Sequence, residues 1–222
     1  MLLLTLVAPV LGTNCYVVAP DGGRECVVID PGIGVDEQLE KAFAEHGVEP
    51  AAVLVTHGHL DHTYTLSELC RRRDLPVHLH QDDVYRLSDP LGSLGPQLAQ
   101  QFAQFADGWT VPADVRPFTA ADTELELAGV GLRAIHAPGH TEGSTLYYLP
   151  GDGGVVFTGD VLFAGTVGRT DLPGGDDALM RATLTRLASD DELPGLTTVR
   201  PGHGPASTLD RERASNPYLR GL

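Results

Sequence analysis

The segment 56–62, Thr-His-Gly-His-Leu-Asp-His, constrains this chain more than any other feature, because it places four potential metal ligands within six residues. It directly follows a short apolar run, 52–55, of the kind that forms a buried strand. Burying imidazoles and carboxylates is unfavourable unless something compensates their desolvation, and a divalent cation is the usual compensation. The pattern therefore predicts a metal site on the loop that leaves a strand.

Three further side chains occupy similar positions later in the chain. His140, Asp160 and His203 each end a strand-like run in a glycine-containing corner, where a side chain is exposed at a sheet edge. One loop can supply about two ligands to each of two ions, so these residues are the natural complement. We predict a site for two divalent metal ions formed by His57, His59, Asp61, His62, His140, Asp160 and His203. Zinc is our first choice, and iron and manganese also suit such oxygen and nitrogen ligands.

Apolar periodicity predicts alternating strands and helices. The strand patterns lie at 26–29, 52–55, 124–127, 130–136, 144–149 and 155–158, and the opening residues, 1–7, form a further buried strand. Two stretches have helical spacing instead: Val35, Leu39, Phe43 and His46, and then Met180, Leu184 and Leu187. Strand-rich halves covered by helices are the expected result.

We expect one domain over residues 1–222, since 42% hydrophobic residues suffice for one substantial core. The stretch 81–117 differs from the rest, because Pro-Gly breaks precede a Gln/Ala/Phe-rich helical pattern. It is either a helical insertion that covers the site or an ordinary surface pair of helices.

Charge and cysteine usage limit the partners and the compartment. A formal net charge of −15 argues against a groove that binds nucleic acid. No apolar run approaches the ~20 residues that are needed to cross a bilayer. Cys15, Cys26 and Cys70 are widely separated and leave one odd thiol, which disfavours a disulfide framework. We expect a cytoplasmic monomer or homodimer that acts on a small molecule.

The ordered motifs HxHxDH, PGH, TGD and PGHG resemble the metallo-β-lactamase fold superfamily over nearly the whole chain. The resemblance implies an α/β (α+β) fold, a four-layer αββα sandwich of two mixed β-sheets flanked by helices. It also implies how the ligands are divided between the two metal ions. One metal would be bound by His57, His59 and His140, a second by Asp61, His62 and His203, and Asp160 would bridge them.

Within that superfamily the chain is most similar to glyoxalase II, in a single-domain form. The segment 168–171, Gly-Arg-Thr-Asp, and the C-terminal pattern from Glu212 through 216–219 look like that group's flanking segments. The implied reaction is hydrolysis of S-acylglutathione, such as S-lactoylglutathione, by a metal-bridging hydroxide. Arg169 matches a basic residue that contacts glutathione there, although an ion pair with Asp171 is an equal alternative. Because the sequence ends soon after His203, we expect it to lack the helical domain that holds part of the glutathione site in two-domain enzymes.

Roles for the neighbouring residues are expected from their positions. Asp61 is predicted to orient the nucleophile as well as to bind metal. Asp30 is predicted to accept a hydrogen bond from a ligand imidazole, or else only to shape the turn before Pro31. Thr56 and Thr141 are next to predicted ligands in the sequence, and they either donate hydrogen bonds around the metal site or cap turns. We interpret the remaining histidines as structural: His46, His78, His80 and His136.

Other activities stay open at this point. A similar family, the iron-dependent persulfide dioxygenases, uses one iron on positions matching His57, His140 and Asp160. A lactonase or another hydrolase of the superfamily is a further alternative. A true β-lactamase is less favoured, because those enzymes generally have no bridging carboxylate where Asp160 stands. A non-catalytic metal-binding scaffold is disfavoured, because seven desolvated ligands without a metal would be destabilising.

Overall fold

The computed structural model describes residues 1–189 and 193–222, over which the chain forms fourteen strands and seven α-helices. The strands are β1 (Leu2–Val7), β2 (Asn14–Ala19), β3 (Glu25–Ile29), β4 (Glu49–Leu54), β5 (Val77–His80), β6 (Val115–Phe118), β7 (Asp122–Leu127), β8 (Val130–His136), β9 (Thr145–Leu149), β10 (Val155–Gly159), β11 (Leu162–Phe163), β12 (Thr166–Val167), β13 (Thr198–Pro201) and β14 (Ser207–Thr208). The helices are α1 (Asp36–His46), α2 (Leu60–Thr63), α3 (Leu66–Arg73), α4 (Val84–Ser88), α5 (Gly95–Ala106), α6 (Asp177–Ser189) and α7 (Leu209–Ser215).

The strands form two six-stranded mixed sheets, counted over the described residues. The first sheet has the order β1-β2-β3-β4-β5-β6, antiparallel up to β3 and parallel from β3 onward. The second has the order β14-β13-β10-β9-β8-β7, in which only the β10–β13 pair is parallel. Strands β11 and β12 form a separate hairpin.

Alternation along the strands divides the core into three parts. In β2, Tyr16 and Val18 pack against the second sheet, whereas Cys15 and Val17 pack against the helices on the other face. Helices α1 and α3 cover the first sheet, while α6 and α7 cover the second. The αββα sandwich of two mixed sheets that the motifs implied is therefore confirmed.

The predicted strands and helices are found at or close to their expected positions. The strand at 130–136 has the bounds of β8, and the helical spacings correspond to α1 and α6. The opening strand was predicted to be buried, which is wrong: all six residues of β1 are half-buried or exposed, because β1 is an edge strand paired with β2 alone.

The stretch 81–117 combines helices with one sheet strand. It contains two 3₁₀ turns (Gln81–Asp83 and Gly92–Leu94), α4 and α5, and it then enters β6, which pairs with β5 in the first sheet. Residues 81–106 are thus the helical part of the crossover between two neighbouring parallel strands. None of the helices in the described ranges has the length and apolarity needed to cross a membrane.

Candidate metal centre

The predicted ligands lie where strands of both sheets end. His57 and His59 follow β4, and Asp61 and His62 form the first turn of α2. His140, Asp160 and His203 follow β8, β10 and β13 of the other sheet. A hydrogen bond from the Thr145 amide to the Thr56 carbonyl (2.8 Å) joins the two sheets at this edge. The sandwich thereby brings together all seven residues that are dispersed in the sequence.

Three imidazole nitrogens converge in a first cluster. His59 Nδ1 lies 3.1 Å from His57 Nε2 and 2.9 Å from His140 Nε2. A tetrahedral ion with bonds of about 2.0–2.1 Å requires ligand nitrogens roughly 3.3–3.4 Å apart, so the spacing is close to that of three ligands of one ion. The far nitrogens of two rings already have partners: His57 Nδ1 contacts Thr56 Oγ1 (3.1 Å), and His140 Nδ1 donates to the Arg169 carbonyl (2.7 Å). When Nδ1 carries the proton in both rings, Nε2 is unprotonated and its lone pair is available to a metal ion.

A second cluster contains Asp61, His62 and His203. Asp61 Oδ2 lies 3.2 Å from His203 Nε2 and 3.6 Å from His62 Nε2. Asp160 lies between the clusters, with Oδ1 3.3 Å from His62 Nε2 and Oδ2 3.7 Å from His140 Nε2. Asp160 Oδ1 and His62 Nε2 are buried and have no hydrogen-bond partner among the described residues. Buried polar atoms without partners are rare in native proteins, and a shared cation would satisfy both.

The charges of the protein groups also suit a cation. Burial, reinforced by neighbouring imidazoles, lowers the pKa of His57 and His59, which favours the neutral rings that bind metals. Burial opposes a charge on His62, but the carboxylates of Asp160, Asp61 and Asp30 outweigh it and hold the His62 pKa well above its usual value. Burial acts to raise the pKa of Asp61 and Asp160, yet His62 and nearby imidazoles lower both. These two half-buried carboxylates thus require positive charge between them, which a divalent ion would supply.

Asp30 is one of two buried carboxylates below the ligands, which we call the floor carboxylates. It accepts hydrogen bonds from the Thr56 amide (2.8 Å), the Thr56 hydroxyl (2.7 Å) and His62 Nδ1 (3.0 Å). The predicted hydrogen bond from a ligand imidazole to Asp30 is therefore present in the structure, and Thr56 connects Asp30 to His57. Asp30 thus orients ligands of both clusters.

Asp83 is the second floor carboxylate, and the sequence reasoning missed it. It accepts hydrogen bonds from the amides of Gly58 (2.7 Å) and Gly143 (2.9 Å) and from the Thr141 hydroxyl (2.8 Å). Gly58 lies between two ligands and Thr141 follows a third, so this carboxylate joins the two histidine loops. Its position directly after a strand, as the second of two acids, was the signal that could have indicated it.

Arg86 neutralises this carboxylate in the interior. The Nε atom of Arg86 donates a hydrogen bond to Asp83 (3.1 Å), and both side chains are fully buried. The Nη2 atom of Arg86 pairs with Glu142. The Arg86 side chain also packs at Gly58, where a Cβ would collide with it, so glycine is required between His57 and His59.

The Gly-Arg-Thr-Asp segment contacts the centre through its backbone. The carbonyl of Arg169 accepts the hydrogen bond from His140, whereas its guanidinium binds Asp171 with two contacts of 2.6 and 2.7 Å. The C-terminal residues Glu212 and Asn216 hold the preceding hairpin by hydrogen bonds with Gly165 (2.8 Å) and Thr166 (3.1 Å). The C-terminal pattern noted in the sequence therefore supports the loop that orients His140.

The remaining histidines lie outside these clusters. The rings of His80 and His136 stack at 3.8 Å with an interplanar angle of 7°, beside Asp82. Because the two rings are parallel, their nitrogen lone pairs lie in separate planes. His136 Nε2 donates a hydrogen bond to the Glu142 carbonyl (2.7 Å). Their interpretation as structural stays a prediction, since the ligand atoms of His80, Asp82 and His136 also lie within 4.8 Å of one another.

A cavity of about 280 Å³ opens above the ligands. Its base contains His59, Asp61, His140, Asp160 and His203. Its upper wall is formed by α5 and the preceding turn Gly92–Leu94, which we call the roof. Three residues of the stretch 81–117 therefore line this cavity, namely Leu94, Leu98 and Phe102.

Comparison with known proteins places this geometry in a family. A sequence profile of the metallo-beta-lactamase superfamily matches residues 8–208. The uncharacterized protein ML0493 of Mycobacterium leprae is 38% identical over 100% of both chains. The probable metallo-hydrolase YqgX of Bacillus subtilis is 34% identical over 97% of this chain and 96% of its own. The hydroxyacylglutathione hydrolase GloC of Haemophilus influenzae is 32% identical over 93% and 92%.

Solved structures agree with these relatives. The BLEG-1 B3 metallo-beta-lactamase superposes with a TM-score of 0.83 and 31% identity, covering 99% of this chain and all of its own. TTHA1623, solved in a di-iron-bound form, gives a TM-score of 0.78 and 37% identity over 97% of this chain and all of its own. The matching profile, the αββα sandwich and the convergent His/Asp clusters have one common explanation, namely that this chain belongs to the metallo-beta-lactamase superfamily.

Proposed function

We propose that the protein is a binuclear metallohydrolase of the glyoxalase II type that hydrolyses acyl thioesters, with S-acylglutathiones such as S-lactoylglutathione as the first candidates. The observation that carries the proposal is the second cluster, Asp61, His62 and His203, next to a first cluster that already has three nitrogen ligands. A reaction at a single ion needs no second cluster of ligands. The name of the relative GloC supports the thioester as substrate.

The chain's own residues would bind and orient the reactants. When bound, two divalent ions would lower the pKa of a coordinated water towards ~7 and polarise the substrate carbonyl. Asp61 faces the cavity, and its Oδ2 accepts a hydrogen bond from Thr13 Oγ1 (3.2 Å), which fixes the carboxylate that orients the attacking water. Hydrolysis breaks the C–S bond and yields a carboxylate, with one oxygen from water, and a thiol that gains a proton. We further propose that the Arg169 side chain contacts the substrate at the cavity wall.

Zinc is the first choice of metal and iron the second. The nitrogen and oxygen donors suit both, and the di-iron form of TTHA1623 supports iron. Elemental analysis of purified protein, combined with an S-lactoylglutathione hydrolysis assay, tests metal and reaction together. We expect two metal ions per chain and hydrolysis without oxygen uptake. One iron per chain, with oxygen consumption on glutathione persulfide, would replace the proposal by a dioxygenase.

A matched pair of variants tests the second cluster. His203→Ala removes a predicted ligand, whereas His46→Ala removes an exposed histidine at the end of α1. We expect the first variant to bind one ion fewer and to lose hydrolysis, and the second to behave as the parent protein. Normal metal content and normal turnover in His203→Ala would refute the binuclear site.

The second candidate activity is β-lactam hydrolysis, because BLEG-1 is described as a B3 metallo-beta-lactamase. Asp160, lying between the two clusters, argues against it. Including a β-lactam and a lactone in the same assay ranks these reactions against the thioester. If metal-stripped protein is as stable as the loaded form and hydrolyses nothing when reloaded, a scaffold role replaces catalysis.

We propose a reducing compartment, the cytoplasm, on the basis of the cysteines. Cys15, Cys26 and Cys70 are free and buried, and burial raises the pKa of the Cys26 and Cys70 thiols to about 12. Buried protonated thiols are inert structural groups, as expected where disulfides do not form.

A further inference from the structure

The walls of the cavity are chemically unlike its base. The base is the His/Asp cluster, whereas the walls are lined by aliphatic and aromatic side chains: Leu11, Ile33, Leu94, Leu98, Phe102 and Leu172. Leu11 combines two unfavourable features, since it is 56% exposed and adopts a left-handed backbone conformation with φ 63°. Strained residues of this kind cluster at ligand sites, and an exposed apolar side chain such as Leu11 beside a cavity with apolar walls indicates an apolar ligand.

The roof presents an apolar stripe towards the cavity. Leu98, Phe102 and Phe105 lie on one face of α5, and Phe105 makes an edge contact with Tyr64 at 5.4 Å. None of the twelve residues of α5, all within the described part of the chain, is buried. Leu98 and Phe102 line the cavity and are only half-buried by the protein itself.

Charged groups that could bind the thiol carrier are scarce. Apart from histidines, Arg169 is the one cationic side chain lining the cavity in the described chain, and Asp171 already binds its guanidinium. The single lysine of the sequence, Lys41, lies on α1 and pairs with Glu45 (3.7 Å). A carrier such as glutathione has two carboxylates, so recognition through the carrier would have few partners here.

We infer that the cavity under the roof binds the acyl half of the substrate, and that the preferred substrates are thioesters of apolar acyl groups of about six to eight carbons. The inference rests on the proposed thioester hydrolysis, and within that class it ranks apolar acyl groups of medium length above the lactoyl group. The cavity has a volume of about 280 Å³, and one water molecule occupies ~30 Å³ in the liquid, so the cavity holds roughly nine non-hydrogen atoms. These nine atoms include the carbonyl group of the substrate, which lies next to the ligands. The apolar walls leave a hydroxylated lactoyl group without a polar partner.

A chain-length series on the zinc-loaded enzyme tests the inference. Acetyl, butanoyl, hexanoyl, octanoyl and lactoyl thioesters of one thiol, N-acetylcysteamine, are compared. Each buried methylene should raise kcat/KM by about fourfold, up to the length at which the cavity is full. The lactoyl thioester should be hydrolysed less efficiently than the butanoyl one. A flat profile, or a preference for lactoyl, would overturn the apolar pocket while leaving thioester hydrolysis intact.

Variants in the roof locate the effect. Phe102→Ala should reduce the ratio of octanoyl to acetyl kcat/KM by about tenfold, and Leu98→Ala should act in the same direction. Gln101→Ala, an exposed position on the same helix, is the control and should leave the ratio unchanged. Equal losses for all acyl lengths would contradict a role in chain recognition.

Product binding separates failure of the pocket from failure of the reaction. Calorimetric titration of zinc-loaded protein with octanoate and with acetate should show at least about tenfold tighter binding of octanoate. If no thioester is hydrolysed, the proposed function fails, and this titration still decides the pocket. Equal affinities would then refute the pocket as well.

Discussion

The floor and the roof of the site are built in opposite ways. The floor carboxylates, Asp30 and Asp83, are buried and make three or more hydrogen bonds each with the loops that hold the ligands. The roof helix α5 has no buried residue among those described and touches the body through half-buried side chains such as Phe105. Metal chemistry needs ligands in fixed directions, whereas an apolar wall needs only shape and surface.

The largest effect is expected at the base of the cavity, directly above the floor. Asp61→Ala removes a carboxylate from the second cluster and the group that we propose to orient the water, so turnover should fall by about 10³-fold or more. Steady-state kinetics together with metal analysis measures this effect. Asp152→Ala, in an exposed turn, is the control. Retained activity in a fully metallated Asp61→Ala protein would refute the role of Asp61.

The next effect concerns Asp83. Asp83→Asn leaves the buried Arg86 guanidinium without one of its two carboxylate partners, the other being the more exposed Glu142, and should lower the free energy of unfolding by about 3 kcal/mol. Urea denaturation measures this change. Asp82→Asn is the matched control, since that side chain is 53% exposed, and it should change stability by less than ~0.5 kcal/mol. Similar small changes in both variants would mean that the floor does not depend on this carboxylate.

Asp30→Asn should weaken metal binding, and it should lower the free energy of unfolding by less than Asp83→Asn does. Asn tolerates the positive φ of 50° at this position, but it is a poorer acceptor for His62 Nδ1, so zinc affinity should fall by about 10- to 100-fold. Competition with a chromophoric chelator measures the affinity. Asp74→Asn is the control, because Asp74 also has a positive φ (51°) and is exposed. An unchanged zinc affinity would contradict a role for Asp30 in orienting the ligands.

The smallest effect is expected in the roof. Phe105→Ala loses one edge contact with Tyr64, which corresponds to about 1 kcal/mol, and it should not change zinc affinity. Urea denaturation and the same chelator competition test both statements, with the exposed Gln104→Ala as control. A tenfold loss of zinc affinity would show that the roof and the floor are coupled, which would remove the contrast between them.

Much of the architecture could be predicted because local patterns are informative. Apolar alternation located β8 and helical spacing located α1 and α6, since these periods follow directly from backbone geometry. The candidate ligands could be selected from the sequence because histidines and acids accumulate at strand ends for few reasons other than metal binding. Asp83 was missed because two acids after a strand are only a weak local signal, and the loops that Asp83 joins lie 25 to 60 residues away in the chain.

Sequence alone determined the family, the fold class and the set of candidate ligands, because each depends on motifs and periods of a few residues. Tertiary structure decided which atoms meet. It brought His140 Nε2 to 2.9 Å from His59 Nδ1 across the two sheets, placed Asp83 beneath both histidine loops, and covered the site with the apolar face of α5. The physical reason is that distances between residues far apart in the chain are set by the packing of the two sheets, which no local pattern encodes.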